Sequence, residues 1–121
     1  MGNCQNTIQQ RTEDFAIRVI NAYVEINKRH FDDAGKVLSK QFLRSGTSIG
    51  ANCAEAVYAQ SRNDYIAKYS IALKEASETQ YWIKIMTKSE LVSANKFLIM
   101  NQEIVEIIKI LTSTINKLKS K

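Results

Sequence analysis

The chain has 121 residues, of which 45% are hydrophobic and 24% charged, so it is long enough for one domain with its own core. It contains no proline and only four glycines, and this scarcity of turn residues excludes an all-β sandwich. The 17 lysines and arginines outnumber the 12 acids, giving a net charge of +5 that permits binding to nucleic acid without requiring it. We expect a single domain over residues 1–121, built from long helices.

The cysteines and the first residues bear on metal binding and location. Cys4 and Cys53 form no Cys-x-x-Cys pair and His30 is the lone histidine, so a Cys/His metal site has too few ligands. The polar start lacks the apolar centre of a secretory signal, and Asn6 stands where a myristoylation pattern requires Ser or Thr. We expect a cytoplasmic protein with no cofactor and with Cys53 buried as a small hydrophobe.

The first predicted helix covers residues 13–30. Its inner face is marked by residues three or four apart, and Ile20 and Val24 are expected to widen it: Phe15, Val19, Ala22, Ile26 and His30. We expect the preceding residues 1–12 to form a flexible or extended segment. After the helix, Gly35 is expected to provide a turn with positive φ.

The second predicted helix covers residues 36–59. Its inner face mixes apolar, small and polar residues: Leu38, Phe42, Ser45, Ile49, Asn52 and Ala56. Gly46 and Gly50 lie one turn apart, and each costs a helix interior about 1 kcal/mol relative to alanine. They predict either close packing of another backbone against this strip or a bend in the helix.

Two further helices complete an all-α, antiparallel, up-down-up-down four-helix bundle. The third is expected to begin after an N-cap at Ser61 and to run to about Glu90. The fourth is expected over residues 94–118 after a cap at Ser93, with a nearly heptad apolar seam. Additional apolar residues lie off that seam, and this second apolar face predicts oligomerisation: Val105, Ile108 and Ile110.

Residues 38 to 83 resemble a known protein family. Two segments carry most of the resemblance: Leu38-Ser-Lys-Gln-Phe-Leu-Arg-Ser-Gly-Thr-Ser-Ile-Gly-Ala-Asn-Cys-Ala-Glu-Ala56 and Ile71-Ala-Leu-Lys-Glu-Ala-Ser-Glu-Thr-Gln-Tyr-Trp-Ile83. The chain closely resembles the bacterial four helix bundle protein family, also called the 23S rRNA intervening-sequence protein family. The resemblance implies four antiparallel helices and a homopentameric ring. The resemblance also implies a relationship to the accessory variability protein of diversity-generating retroelements. That relative is described as a basic, barrel-shaped protein that binds both nucleic acid and a reverse transcriptase.

A line of basic residues on the second helix is the candidate nucleic-acid contact. Lys36, Lys40 and Arg44 stand four residues apart with no acid on the same line. Residues 34–60 hold three basic groups and one acid, and residues 93–121 hold five and two, so the positive excess lies on the second and fourth helices. The alternative interpretation is that these charges only keep the surface soluble, as lysines near a helix C-terminus often do.

A second set of polar residues favours a structural role. We expect a network that pairs polar groups across the packed second and third helices and fixes their register: Arg44, Asn52, Glu55, Glu75 and Glu78. A di-iron carboxylate site would need Glu-x-x-His on two helices, which the single histidine does not allow. Four aromatic residues could stack bases, but helical spacing favours core or interface positions for them: Tyr65, Tyr69, Tyr81 and Trp82.

The sequence contains no phosphate loop, nucleophile elbow or pair of catalytic histidines, so we predict a protein that is not an enzyme. The first functional hypothesis is an oligomer, most simply a pentamer, that binds RNA or DNA mainly through phosphates. The second is an oligomeric scaffold or adaptor for a protein partner such as a nucleic-acid enzyme of the reverse transcriptase kind. Salt separates the two, because phosphate contacts weaken steeply with ionic strength.

Overall fold

The computed structural model describes residues 7–29 and 33–121. The described residues form four helices: α1 Ile8–Ile26, α2 Asp33–Ala56, α3 Arg62–Lys88 and α4 Leu98–Lys119. Within these ranges the chain contains no strand. The all-α prediction is confirmed.

The helices form an antiparallel up-down-up-down bundle. Each helix packs against the next in the chain, and α4 closes the bundle by also contacting α1. This order places the ends of α1 and α3 beside the starts of α2 and α4, a region we call the upper end. Residues that are far apart in sequence, such as those of early α2 and late α3, therefore share one end of the molecule.

The core follows the predicted apolar faces. Its fully buried side chains come from all four helices and include Phe15, Phe42, Tyr69, Ile83, Ile104 and Leu111. Two buried hydroxyls lie among them, with Ser45 Oγ and Thr79 Oγ1 only 2.8 Å apart across α2 and α3. Each buried large aliphatic or aromatic side chain contributes about 1.5–3 kcal/mol to folding, so this core suffices for a single domain.

Gly46 and Gly50 mark the closest approach of α1 to α2. A Cβ atom at Gly46 would lie 2.7 Å from Cγ2 of Val19, and one at Gly50 would lie 3.2 Å from the Thr12 carbonyl oxygen. A side chain at Gly46 would require Val19 to move, and one at Gly50 would require the Thr12 backbone to shift by a few tenths of an ångström. The predicted close approach of another backbone is observed at Gly50, where it is that of Thr12, whereas at Gly46 the neighbour is the Val19 side chain.

The start of α1 differs from the prediction. The helix begins at Ile8, so the expected flexible or extended segment 1–12 is wrong for residues 8–12. The physical reason is the N-cap, because Thr7 Oγ1 accepts a hydrogen bond from the Gln10 backbone N–H at 3.1 Å. Residues 1–6, including Cys4 and Asn6, lie outside the described residues, as does His30.

The turn predicted at Gly35 and the predicted start of α4 also differ from the structure. Gly35 is buried within α2, and no glycine of the described chain has a positive φ, so the turn predicted there is wrong. After α3, the residue with left-handed backbone is Glu90, at φ 63°, and the Val92 N–H returns to the Met86 carbonyl at 3.2 Å. Turns then continue to Phe97, so α4 begins at Leu98 rather than at the expected residue 94 after Ser93.

Cys53 lies in the core as expected. Its side chain is fully buried, and this burial raises the pKa of the thiol to about 11, with a hydrogen bond to Thr12 acting in the opposite direction. A thiol with so high a pKa carries almost no reactive thiolate at neutral pH. Cys53 is therefore a packing residue.

Candidate nucleic-acid interface

The predicted basic line lies on the first half of α2, towards the upper end of the bundle. Lys36 and Lys40 are exposed, and neither makes an ion pair with any residue of the described ranges. Both ammonium groups are therefore available to an anion from solution. They stand one helical turn apart, a spacing of about 6 Å along the helix axis that is close to the separation of successive phosphates in an extended strand.

Arg44, the third member of the line, is bound differently. Its guanidinium donates to Glu75 Oε1 at 3.1 Å and also to Glu78 Oε2. The pKa of Glu78 is lowered chiefly by the hydrogen bond from Arg44 and then by the one from Trp82. The hydrogen bond to Glu78 in turn raises the pKa of Arg44. One cation against two carboxylates leaves this cluster with a negative excess, which is unfavourable for a phosphate contact.

The residues expected to form one structural network separate into three groups. The first group is the predicted ion-pair cluster between α2 and α3, in which Arg44 contacts both Glu75 and Glu78. Glu55 instead accepts a hydrogen bond from the Nζ of Lys68 at 2.7 Å. This pair lies between α2 and α3 towards the end of the bundle opposite the upper end. Asn52 donates to the Ser48 carbonyl of its own helix at 2.9 Å, so it does not bridge α2 and α3.

Two ion pairs between α1 and α4 were not predicted. Arg11 pairs with Glu106, and Arg18 pairs with Glu103 at 3.0 Å. The seven-residue spacing of the two arginines on α1 is the sequence signal for a common face. The partners are 85 and 95 residues away, however, and only the closed bundle shows which acids lie opposite.

The excess positive charge is carried by lysines. Ten exposed lysines make no ion pair with the described residues: Lys36, Lys40, Lys74, Lys84, Lys88, Lys96, Lys109, Lys117, Lys119 and Lys121. The arginines of α1 and α2 are all in ion pairs, and Arg62 donates to the Lys121 carbonyl. Five of these lysines lie at or near the upper end, two on α2, two on α3 and one just before α4.

The aromatic candidates occupy two kinds of environment. Tyr65 and Tyr69 contact each other with ring centroids 4.7 Å apart, and Tyr69 is buried, as expected for a core residue. Trp82 is half-buried and donates its indole N–H to Glu78 at 3.0 Å. Tyr81 is 53% exposed, so its ring is accessible to a ligand.

An apolar stripe lies on the outer side of α1. Ile17, Ile20 and Val24 are each about half exposed, and their spacing of three and four places them on the side of α1 opposite its core residues. The expectation that Ile20 and Val24 widen the inner face is therefore wrong. By contrast, the off-seam residues of α4 from which oligomerisation was inferred are only partly exposed, and Val105 and Ile108 pack against the core. The apolar surface left for a partner is therefore more prominent on α1.

Neither a metal centre nor a membrane span is found in the described part of the chain. No group of three or more His, Cys, Asp or Glu side chains is placed to hold a metal ion there. None of the helices in the same ranges combines the length and the apolar character that crossing a bilayer requires.

These features define an all-α bundle with a lysine-rich surface. The chain belongs to the 23S rRNA-intervening sequence protein family, whose profile it matches over residues 5–113. It is similar to the crystal structure of a protein with unknown function from the S23 ribosomal protein family of Bacteroides thetaiotaomicron VPI-5482. The two share 43% identity with a TM-score of 0.79, over 90% of this chain and 98% of that one. No curated protein matches the sequence. The resemblance stated from the sequence is confirmed.

Proposed function

We propose that this protein is a self-associating, non-enzymatic helical bundle of the cytoplasm that binds RNA or DNA, chiefly through phosphate contacts. The observation that carries the proposal is the set of exposed lysines without ion pairs. Each such ammonium can replace a condensed counterion on nucleic acid, and release of those counterions drives binding. Lys36 and Lys40 form the proposed contact on α2, while Arg44 serves the packing of α2 against α3.

Charge reversal tests the assignment of this contact. We expect Lys36→Glu combined with Lys40→Glu to weaken binding of labelled RNA or duplex DNA about tenfold or more, because two phosphate contacts become repulsive. The measurement is fluorescence anisotropy at low salt. The matched control is Lys117→Glu with Lys121→Glu, which also reverses two exposed lysines four residues apart and changes net charge equally. Equal loss in both double variants would contradict a local contact and leave only an effect of total charge.

Self-association is proposed from the apolar stripe on α1, with a second copy of this chain as its occupant. Three adjacent branched side chains half exposed to water form the kind of surface that an oligomer buries. The number five comes from the resemblance to the family. Five copies of 13.8 kDa would give an assembly of about 69 kDa.

The stripe predicts a selective effect of charge on assembly. We expect Val24→Lys to reduce the mass measured by light scattering to that of one 13.8 kDa chain, because a buried ammonium would lack a partner. Val37→Lys is the matched control, since Val37 is 58% exposed against 51% for Val24 and also lies on a helix. A monomeric unmodified protein, or equal masses for the two variants, would contradict the assignment.

The same stripe favours one alternative, an oligomeric scaffold or adaptor for a protein partner such as a nucleic-acid enzyme. An apolar contact of this kind depends little on ionic strength, whereas phosphate contacts lose affinity steeply as salt increases. A partner that is retained at high salt by the unmodified protein, and released by Val24→Lys without a change in the assembled mass, would favour the alternative.

A further inference from the structure

A groove between α3 and α4 at the upper end has a composition suited to a nucleotide. Its volume is about 680 Å³, and the residues that line it include two lysines, one exposed tyrosine and no acid. A volume of this order accommodates a small-molecule ligand or one or two nucleotides. The protein has 12 acidic residues, yet none of them lines this groove. The absence of carboxylates beside two lysines favours binding of an anion.

Tyr81 lines this groove and is in contact with its neighbour Trp82. Its ring makes an edge contact with Trp82, with centroids 5.3 Å apart and an interplanar angle of 66°. The Trp82 indole N–H is bonded to Glu78, which also accepts from Arg44. Trp82 is thus held in place, and Tyr81 packs against it while 53% of the residue stays exposed for stacking.

Lys84 and Lys88 provide the charge beside this ring. Lys84 lies three residues after Tyr81 and Lys88 seven residues after it, so all three share one side of α3. Both lysines are exposed, and neither is in an ion pair with the described residues. Their ammonium groups can therefore contact successive phosphates without first breaking an internal bond.

Other lining residues supply groups for the edge and face of a base. The side-chain amides of Gln80 on α3 and Asn101 on α4 line the groove, and Leu98 contributes an apolar surface that is 53% exposed. Side-chain amides both donate and accept hydrogen bonds, so they tolerate any of the four bases. Base-paired nucleotides present neither a free face nor a free Watson–Crick edge, which favours a single strand here.

We propose that the α3–α4 groove binds single-stranded nucleic acid, with an unpaired base stacked on Tyr81 and the flanking phosphates on Lys84 and Lys88. The inference rests on the proposed function and adds a strand preference and a second contact to it. Lys36 and Lys40 then serve as a sequence-independent phosphate contact on the adjacent helix, whereas the groove distinguishes unpaired from paired bases.

The test uses fluorescein-labelled oligonucleotides of one sequence, as single-stranded RNA, single-stranded DNA and duplex DNA, with the full-length protein. We expect tighter binding of the single strands, and comparison of the RNA with the DNA probe shows which sugar is preferred. Tyr81→Ala should weaken single-strand binding about tenfold, because one base–aromatic stack is lost. Tyr81→Phe keeps the ring and should bind like the unmodified protein.

Two controls separate stacking from charge. On an oligonucleotide whose internal positions are abasic, Tyr81→Ala should bind like the unmodified protein, whereas Lys84→Glu with Lys88→Glu should weaken binding to every probe. Circular dichroism of each variant checks that these exposed substitutions leave the helices intact. Single-strand binding that is unaffected by Tyr81→Ala and by the lysine reversals overturns the groove while the proposed function stands. Absence of binding to all three probes at low salt overturns both.

Discussion

Replacing Gly46 with alanine is expected to destabilise the protein by about 1–2 kcal/mol, although alanine is the better helix former. The added methyl group would lie 2.7 and 2.9 Å from the two Cγ atoms of Val19. Val19 is fully buried and β-branched, so its side chain cannot rotate away without disturbing the core. Overpacking costs about 1–3 kcal/mol, and contacts as short as these favour the upper half of that range, about 2–3 kcal/mol, which exceeds the gain of about 1 kcal/mol in helix propensity.

The sign of this effect should reverse when Val19 is shortened. In a Val19→Ala background the two Cγ atoms are absent, so Gly46→Ala should stabilise the protein by about 1 kcal/mol through helix propensity and partial filling of the cavity. The measurement is a double-mutant cycle of urea unfolding free energies. If Gly46→Ala has the same effect in both backgrounds, Val19 is not what excludes a side chain at position 46.

Replacing Arg44 with methionine is expected to cost about 1 kcal/mol at neutral pH. Methionine keeps an unbranched stem and a similar helix propensity, so the loss reflects the two ion pairs and the repulsion left between Glu75 and Glu78. The matched control is Lys40→Met on the same helix, since Lys40 is exposed and forms no ion pair with the described residues; its effect should stay within about 0.5 kcal/mol.

The cost of losing Arg44 should depend on pH. Arg44 lowers the pKa of Glu78 below its ordinary value of 4.5, so the stabilisation is present above that value and is lost as the pH falls through the folded-state pKa. Unfolding free energies of the two proteins should therefore differ at about pH 7 and converge as the pH falls below the folded-state pKa of Glu78. A difference that persists unchanged into acid would contradict an electrostatic role for Arg44.

Much of the fold follows from apolar periodicity. The buried positions of α2, including Phe42, Ser45 and Ile49, recur at the spacing of one helical face, and so do those of α3. Helix ends were less accurate because they depend on single capping contacts. Thr7 is the N-cap of α1, but no distinctive sequence pattern around it indicates where the helix starts. Gly35 lies within α2, although glycine favours turns.

The candidate site was predictable only in part. The pairing of Arg44 with Glu75 and Glu78 could be expected because complementary charges lie on adjacent helices. Glu55 pairs with Lys68 instead, because side-chain reach depends on how the two helices are aligned along their axes, which residue types alone do not specify. The groove at Tyr81 was missed for a related reason, since the antiparallel topology was predicted but the axial alignment and rotation that leave a space between α3 and α4 are not specified by residue types.

Binding of nucleic acid as a function of salt tests the central claim most directly. The assembled, unmodified protein would be titrated into labelled structured RNA, single-stranded RNA and duplex DNA at low and at physiological ionic strength. Contacts made by several lysines predict that the logarithm of the association constant falls linearly with the logarithm of salt concentration, with a slope of about −2 or steeper. Binding that does not change with salt, or no binding at low salt, would contradict a function based on phosphate contacts.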